Sequence, residues 1–312
     1  MLNKEYYALK VISKKKKLLY YKEIYSHLNE PNILKKIINK KFLLNYISSF
    51  QDFDNIYLVT NYYNGRTLFN YKDEIMTEEQ IKFISACIIQ SLTYLRENNI
   101  IHRDLRMQNL ILDSKNYINL IDFSYAIFYQ NKNNSKNYFI GAKLDNAPEI
   151  QNHSIYDYNC DYYRLGGSII YYLIFKRYIN EIKKENNITE IKLDYQNISN
   201  YSYSCIDFIN KLITNDYKKR IGFKSINELK NHLFFKDFNW KDLEKKTIKS
   251  PLYFKTNKNK KLFCVKFKYS KMNEILYKRN IKNKYYIKLL KRFDYVNKLV
   301  IMKILHSNKY IL

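Results

Sequence analysis

The sequence predicts an α+β chain in which a small sheet-bearing lobe is joined to a larger, mainly helical one. Three observations carry that expectation. Strand-like segments crowd the first 60 residues, a long capped helix opens at Thr77, and the pattern after about residue 150 is mostly helical. Strands first and helices afterwards point to that segregated architecture. With 312 residues, 46% of them hydrophobic, the chain can bury a sizeable core as one large domain or two lobes.

Taken in order, residues 6–12, YYALKVI, read as a strand. Residues 14–30 read as a basic helix with apolar positions at Leu18, Leu19, Ile24 and Leu28. A strand pair, 42–50 and 56–60, brackets the turn QDFDN. Thr77 with Gln80 three residues on forms a capping box. Ile81, Ile84, Cys87, Ile88, Leu92 and Leu95 then recur on one face, which should be buried. Residues 110–112 and 118–121 are short apolar strands around the polar turn DSKNY, a hairpin signal. Residues 161–175 and 203–214 read as helices.

Composition removes several classes. Cys87, Cys160, Cys205 and Cys264 show no CxxC spacing, so neither a zinc site nor a disulfide framework is expected, and a reducing compartment is. No early apolar run follows the N-terminal lysines, which argues against a secretory leader. The longest charge-free apolar run, 165–175, is too short to cross a bilayer. A soluble protein of the cytoplasm or nucleus is expected. The formal charge is +26, and residues 251–312 carry 17 Lys or Arg against two acids, Glu274 and Asp294. Such a tail suits nucleic acid or an anionic membrane. Lys, Asn, Ile and Tyr are abundant along the whole chain, and that compositional bias weighs against either partner.

The hairpin is where chemistry concentrates. The entry of its first strand and the exit of its second lie at the same end, so Asn109 and Asp122 should converge. One amide oxygen and one carboxylate suit a hard cation such as Mg²⁺, which keeps waters and substrate phosphates as its other ligands. Asp104, just upstream, can orient an attacking hydroxyl and accept its proton. Arg106 can offset the charge of a transferring phosphate.

These residues resemble the eukaryotic protein kinases. His102-Arg103-Asp104 followed by Asn109 is similar to their catalytic loop, and Asp122-Phe123 to the start of their Mg²⁺ motif. Ala147-Pro148-Glu149 resembles the end of their activation segment, and Ala8-Leu9-Lys10 the strand that carries the phosphate-binding lysine. Asp161, in DYYRLGG, resembles the aspartate that anchors the catalytic loop. Arg220 resembles the partner of Glu149. The ordered set spans roughly residues 6–238. HLNEPNIL, NIYLVTNYYNGRTLF and NHLFFKDFNWKDLEKKTIKSPLYFK look like the AGC group, the cyclic-nucleotide-dependent branch in particular.

The resemblance implies a two-lobe protein kinase fold with a truncated N-terminal β-lobe (1–60), a hinge and helical C-lobe (61–250) and a basic extension (251–312). It implies ATP and Mg²⁺ as cofactors and protein hydroxyls, serine or threonine, as substrates. Asp104 is then the base and Arg106 the phosphate clamp. Asn109 and Asp122 hold Mg²⁺, and Lys10, paired with Glu30, meets the α/β-phosphates. Asn61 to Tyr63 offer backbone hydrogen bonds to adenine, with Ala8 and Ile111 stacking on the ring. His102, Arg103, Phe123, Glu149, Asp161 and Arg220 are structural, and Tyr138 or the nearby Ser135 stands near the activation-loop threonine.

The departures matter too. Of five glycines none precedes Gly65, so the glycine-rich loop that covers ATP phosphates is absent from these residues. These residues alone are therefore expected to be nearly inactive. Pro31 follows Glu30, and a residue before proline is pushed out of helical geometry, so the helix is expected to end there and mis-aim Glu30; Glu23 is the substitute. Ser124 replaces the glycine after Asp122-Phe123, at about 1 kcal/mol if that position needs a left-handed backbone. Arg106 stands for lysine and Ala142 for threonine. Thr67, Gln108 and Tyr171 occupy positions where basic-directed relatives carry acids, so a preference for basic peptides is not expected. Intact Asp104, Asn109 and Asp122 favour an enzyme. The missing loop and Ala142 favour a binding module of the same shape without turnover.

Overall fold

The computed structural model describes residues 6–13, 21–51, 55–129, 146–151, 157–194, 198 and 200–253, without the side chains of residues 13 and 21–28. The segment 14–20, the Glu23 side chain, Ser135, Tyr138, Ala142 and the basic extension beyond residue 253 lie outside the described residues. The architecture is α+β, with a small sheet first and a helical remainder, as the element order predicts. The chain divides into two compact units.

In the first unit β1 (Tyr7–Ser13), β2 (Tyr46–Gln51) and β3 (Asn55–Asn61) form an antiparallel sheet in the order β1-β3-β2. Leu9, Tyr57 and Val59 make its buried cluster, joined by Tyr7, Ile47 and Phe50. The second strand starts later than the predicted residue 42, because Phe42 adopts a left-handed backbone, φ 65°, that no strand continues through. Helix α1 (Tyr21–Lys36) corrects the expectation at Pro31. It runs through that proline, and Lys10 Nζ meets Glu30 at 2.9 and 3.1 Å. The bias against a helical residue before proline is a local preference. Ile33 and Leu34, within the next turn, and Ile37, just past the helix end, are all fully buried and reward continuing the helix, and Glu30 is itself fully buried on its pair with Lys10.

The second unit is built on α2 (Glu78–Glu97). Its capping box is formed as predicted: the Thr77 hydroxyl accepts from Gln80 N and the Gln80 side chain from Thr77 N. The predicted apolar face is buried, all six residues being at most 3% exposed. After β4 (Ile100–Ile101) comes the hairpin of β5 (Leu110–Leu112) and β6 (Ile118–Leu120), in register Leu110↔Leu120. Short β7 (Ile127–Phe128) pairs with β4. Then follow α3 (Pro148–Gln151), α4 (Asn159–Arg164), a π-helical stretch Leu165–Ile170, and α5 (Tyr171–Phe175). Gly166 sits where a Cβ would lie 2.6 Å from Leu212 Cβ, so only glycine lets this stretch pack on α7 (Tyr203–Ile213), which follows α6 (Ile179–Glu185). Helices α8 (Asn227–Lys230) and α9 (Trp240–Lys245) complete the unit.

The segment after α9 straps the far end of the hairpin. Lys246 Nζ contacts Asp113 Oδ2 at 2.6 Å and Asn119 Oδ1 at 3.2 Å. The Tyr117 hydroxyl donates to Ile248 O, Ser250 Oγ to Asn116 O at 2.9 Å, and Gln80 Nε2 to Pro251 O at 3.1 Å. Leu252 is fully buried at its end. Among the described residues, no helix is long and apolar enough to cross a membrane.

Candidate active site

The hairpin delivers two of the expected residues to one place. Asn109 ends a short 3₁₀ turn, Met107–Asn109, immediately before β5, and its carbonyl accepts Ile121 N–H at 2.8 Å. Asp122 follows one residue later, held in the left-handed region at φ 60°. A non-glycine residue there is disfavoured by about 1–2 kcal/mol. The arrangement persists because Asp122 Oδ1 accepts both Ser124 Oγ–H at 2.6 Å and Ser124 N–H at 3.3 Å. Ser124 itself is not among the described residues with a left-handed backbone, so the strain expected for serine at that position does not arise. Its hydroxyl instead fixes the Asp122 carboxylate.

Asp104 reaches the same place from the loop after β4. Its Oδ2 accepts Asn109 Nδ2–H at 2.7 Å, and its carbonyl accepts from the same nitrogen at 2.9 Å. Because the Asn109 amide nitrogen is turned to Asp104, its Oδ1 is the atom directed elsewhere, the atom a cation needs. Among the described residues no group of three or more His, Cys, Asp or Glu could hold a metal. An amide oxygen and a carboxylate fit a cation that draws its remaining ligands from water and phosphate, as Mg²⁺ does.

Helix α4 anchors the loop from below. Asp161 accepts His102 N–H at 2.8 Å and Arg103 N–H at 3.0 Å. Burial pushes its carboxyl up, against the pull of His102, Arg164 and those donors. Burial holds the His102 imidazole below its ordinary value despite Asp161, Asp104 and Asp122 nearby, so the ring is neutral at pH 7. Its Nδ1 accepts Asp104 N–H at 3.3 Å, and its edge packs on the fully buried Phe123 with centroids 5.0 Å apart. Arg103, left-handed at φ 63°, donates from Nε to Tyr125 O at 2.7 Å.

The remaining expected residues are placed as follows. Arg220 forks onto Glu149 at 2.6 and 2.9 Å, both buried, and also donates to the carbonyls of Asn159, Thr214 and Asn215. Arg106 Nε donates to Gln108 Oε1 at 2.9 Å. Tyr171 is 4% exposed and packs on Phe175, and Thr67 donates to Asn70. Ile111 bridges Thr67. In the first unit, Ala8 faces Thr60 across the sheet, and Asn61 N–H donates to Asn45 O at 3.1 Å. That bond removes one of the backbone donors expected to meet adenine. Tyr63 lies just past β3.

Two residues were not singled out from the sequence. One is the Ser124 hydroxyl as a partner of Asp122, where the sequence had signalled only a lost glycine. The other is Arg164, whose Nη1 lies 3.5 Å from Asp104 Oδ1. Its spacing, three residues after Asp161 on a helix, is the signal that could have found it.

A family model described as "Protein kinase domain" matches residues 1–235. The chain is 34% identical over 250 residues to a probable serine/threonine-protein kinase of Dictyostelium discoideum, covering 78% of this chain and 54% of that protein. It is 33% identical over 259 residues to the serine/threonine-protein kinase Sgk1 of Danio rerio, covering 80% and 58%. The Sgk1 of Rattus norvegicus gives 33% over 255 residues, covering 79% and 58%. The chain thus spans somewhat more than half the length of these relatives. With a family model over three quarters of its length and the catalytic-loop residues gathered as described, this chain belongs to the protein kinase domain family.

Proposed function

We propose that the chain transfers the γ-phosphoryl group of ATP to serine or threonine hydroxyls of proteins. The observation that carries this reading is Asp104 held by Asn109 at the hairpin end where Asp122 is clamped by Ser124. Asp104 orients the acceptor hydroxyl and takes its proton, and Arg106 offsets charge on the moving phosphate. Asn109 Oδ1 and the Asp122 carboxylate hold Mg²⁺, which when bound neutralises phosphate charge. In the first unit, the Lys10–Glu30 pair keeps an ammonium extended for the α/β-phosphates. Ala8, Tyr63 and the Asn61 carbonyl belong to the adenine side of the reading, and Ile111 to its ring contact. Placement in the AGC group rests on the Sgk1 similarity and the three quoted segments. The cyclic-nucleotide-dependent branch rests on those segments alone.

The test is a melting curve with and without ATP and Mg²⁺. A ligand at a hundredfold excess over its Kd stabilises by about 2.7 kcal/mol, roughly 5–10 °C for a chain of this size. Asp122→Asn should abolish the Mg²⁺-dependent part. No shift for the wild type at millimolar ATP would remove the reading's support. A shift without any phosphate transfer would favour the binding module instead.

Specificity is a separate expectation. Gln108 already accepts from Arg106, the Thr67 hydroxyl donates to Asn70, and Tyr171 is buried, so none of the three offers a carboxylate to a guanidinium. A degenerate peptide library should show no strong arginine preference upstream of the phosphorylated residue. A marked one would overturn the assignment of these three positions.

A further inference from the structure

One charged side chain near the site has no part in the reading above. Arg164, at the end of α4, is 1% exposed, and it points to the same loop as Asp161 three residues earlier. Residues three apart share a helix face. That face therefore offers two opposite charges to the catalytic loop: Asp161 takes the backbone N–H groups of His102 and Arg103, and Arg164 Nη1 stands 3.5 Å from Asp104 Oδ1. The other arm of the fork, Nη2, donates to Asn146 Oδ1, just ahead of α3. Arginine stays protonated in proteins, so this is a permanent buried cation.

We infer that Arg164 is a positioning residue for Asp104: an ion-pair partner that, with Asn109 on the other oxygen, fixes the plane of the carboxylate. Asn109 holds Oδ2 at 2.7 Å and Arg164 faces Oδ1, so the two oxygens are tied from opposite elements, the hairpin and α4. Tying both oxygens restricts rotation about the carboxylate in a way that one bond does not. Asn146, on Nη2, holds the second arm of the guanidinium. The inference rests on the phosphotransfer reading for its consequence, but the pair itself does not.

The experiment compares the full 312-residue chain with Arg164→Met, Arg164→Lys, Asp104→Asn and the Arg164→Met/Asp104→Asn double variant. Melting temperatures and phosphate transfer from γ-labelled ATP are both measured, the latter long enough to resolve a slow wild-type rate. Arg164→Met should melt several degrees lower. The double variant should lose much less than the two single losses combined, because groups in contact couple. Misplacing a reacting group by about 1 Å costs on the order of a hundredfold. Arg164→Met should accordingly lower kcat by about that factor while KM for ATP and the ATP–Mg²⁺ melting shift stay as in wild type. Arg164→Lys should restore part of kcat by keeping the charge. Additive melting losses would overturn the pair. Coupled melting with an unchanged kcat, or a fall in kcat matched by loss of the ATP–Mg²⁺ shift, would overturn the positioning role. A wild type that transfers no phosphate would overturn the phosphotransfer reading and the positioning role with it, while the melting cycle would still decide the pair.

Discussion

Asp104→Asn should lower kcat by about 10²- to 10⁴-fold, the contribution of a positioned general base, with little change in KM for ATP. Asparagine keeps the shape but only one oxygen, so with that oxygen on Asn109 its amide nitrogen stands opposite Arg164, and it cannot take a proton from a hydroxyl. The Asn109 Nδ2 contact, now 2.7 Å to a carboxylate oxygen, can be retained by the amide oxygen, so the loop should stay in place. The check is phosphate transfer from labelled ATP beside the ATP–Mg²⁺ melting shift. A variant that still transfers at the wild-type rate would show that Asp104 is not the base. Loss of the melting shift together with the rate would show that the loop had rearranged.

The largest stability effect is expected at the first turn of α3. Arg220→Met leaves the Glu149 carboxylate buried with neither arm of the fork, and strips donors from the carbonyls of Thr214, Asn215 and Asn159. Breaking a buried pair from one side costs about 3–5 kcal/mol, a fall of roughly 6–20 °C for this size. The stack of the guanidinium on Tyr163, 4.9 Å from its ring centroid, is lost as well. Glu149→Gln/Arg220→Met should recover part of that loss, since no charge is then left unpaired. A single variant that melts within about a degree of wild type, well below the range for a broken buried pair, would show that the fork does not hold α3.

Much of this was legible in the sequence, and the exceptions have local causes. The capping box at Thr77 and Gln80, the buried face of α2 and the hairpin around DSKNY are set by nearest neighbours, so patterns of three, four and two residues suffice to read them. The family resemblance then assigned partners that no periodicity reveals, and the structure does bring Arg220 to Glu149 and Asp161 to the loop. Pro31 misled because its effect on Glu30 is local, whereas the Lys10 contact that helps hold that helix spans twenty residues. Ser124 misled because the left-handed residue of that motif is Asp122. Arg164 passed unread because a lone arginine in an apolar helix looks like a surface charge until its neighbours are known. The π-helical stretch at Leu165–Ile170 has no spacing signal, and neither does the close approach of Leu212 to Gly166 within it.

The strap over the hairpin has a consequence in time. The turn it closes, Asp113 to Asn119, is synthesised roughly 130 residues before Leu252, the buried end of the strap. At about 5–20 residues per second, the interval is on the order of 7–26 seconds. For that long, Asp113 lacks the Lys246 ammonium and Tyr117 its acceptor at Ile248. The nascent chain thus carries the hairpin with its turn unfastened until α9 and the strap have left the ribosome, and a pause before residue 252 would prolong its exposure to chaperones and proteases.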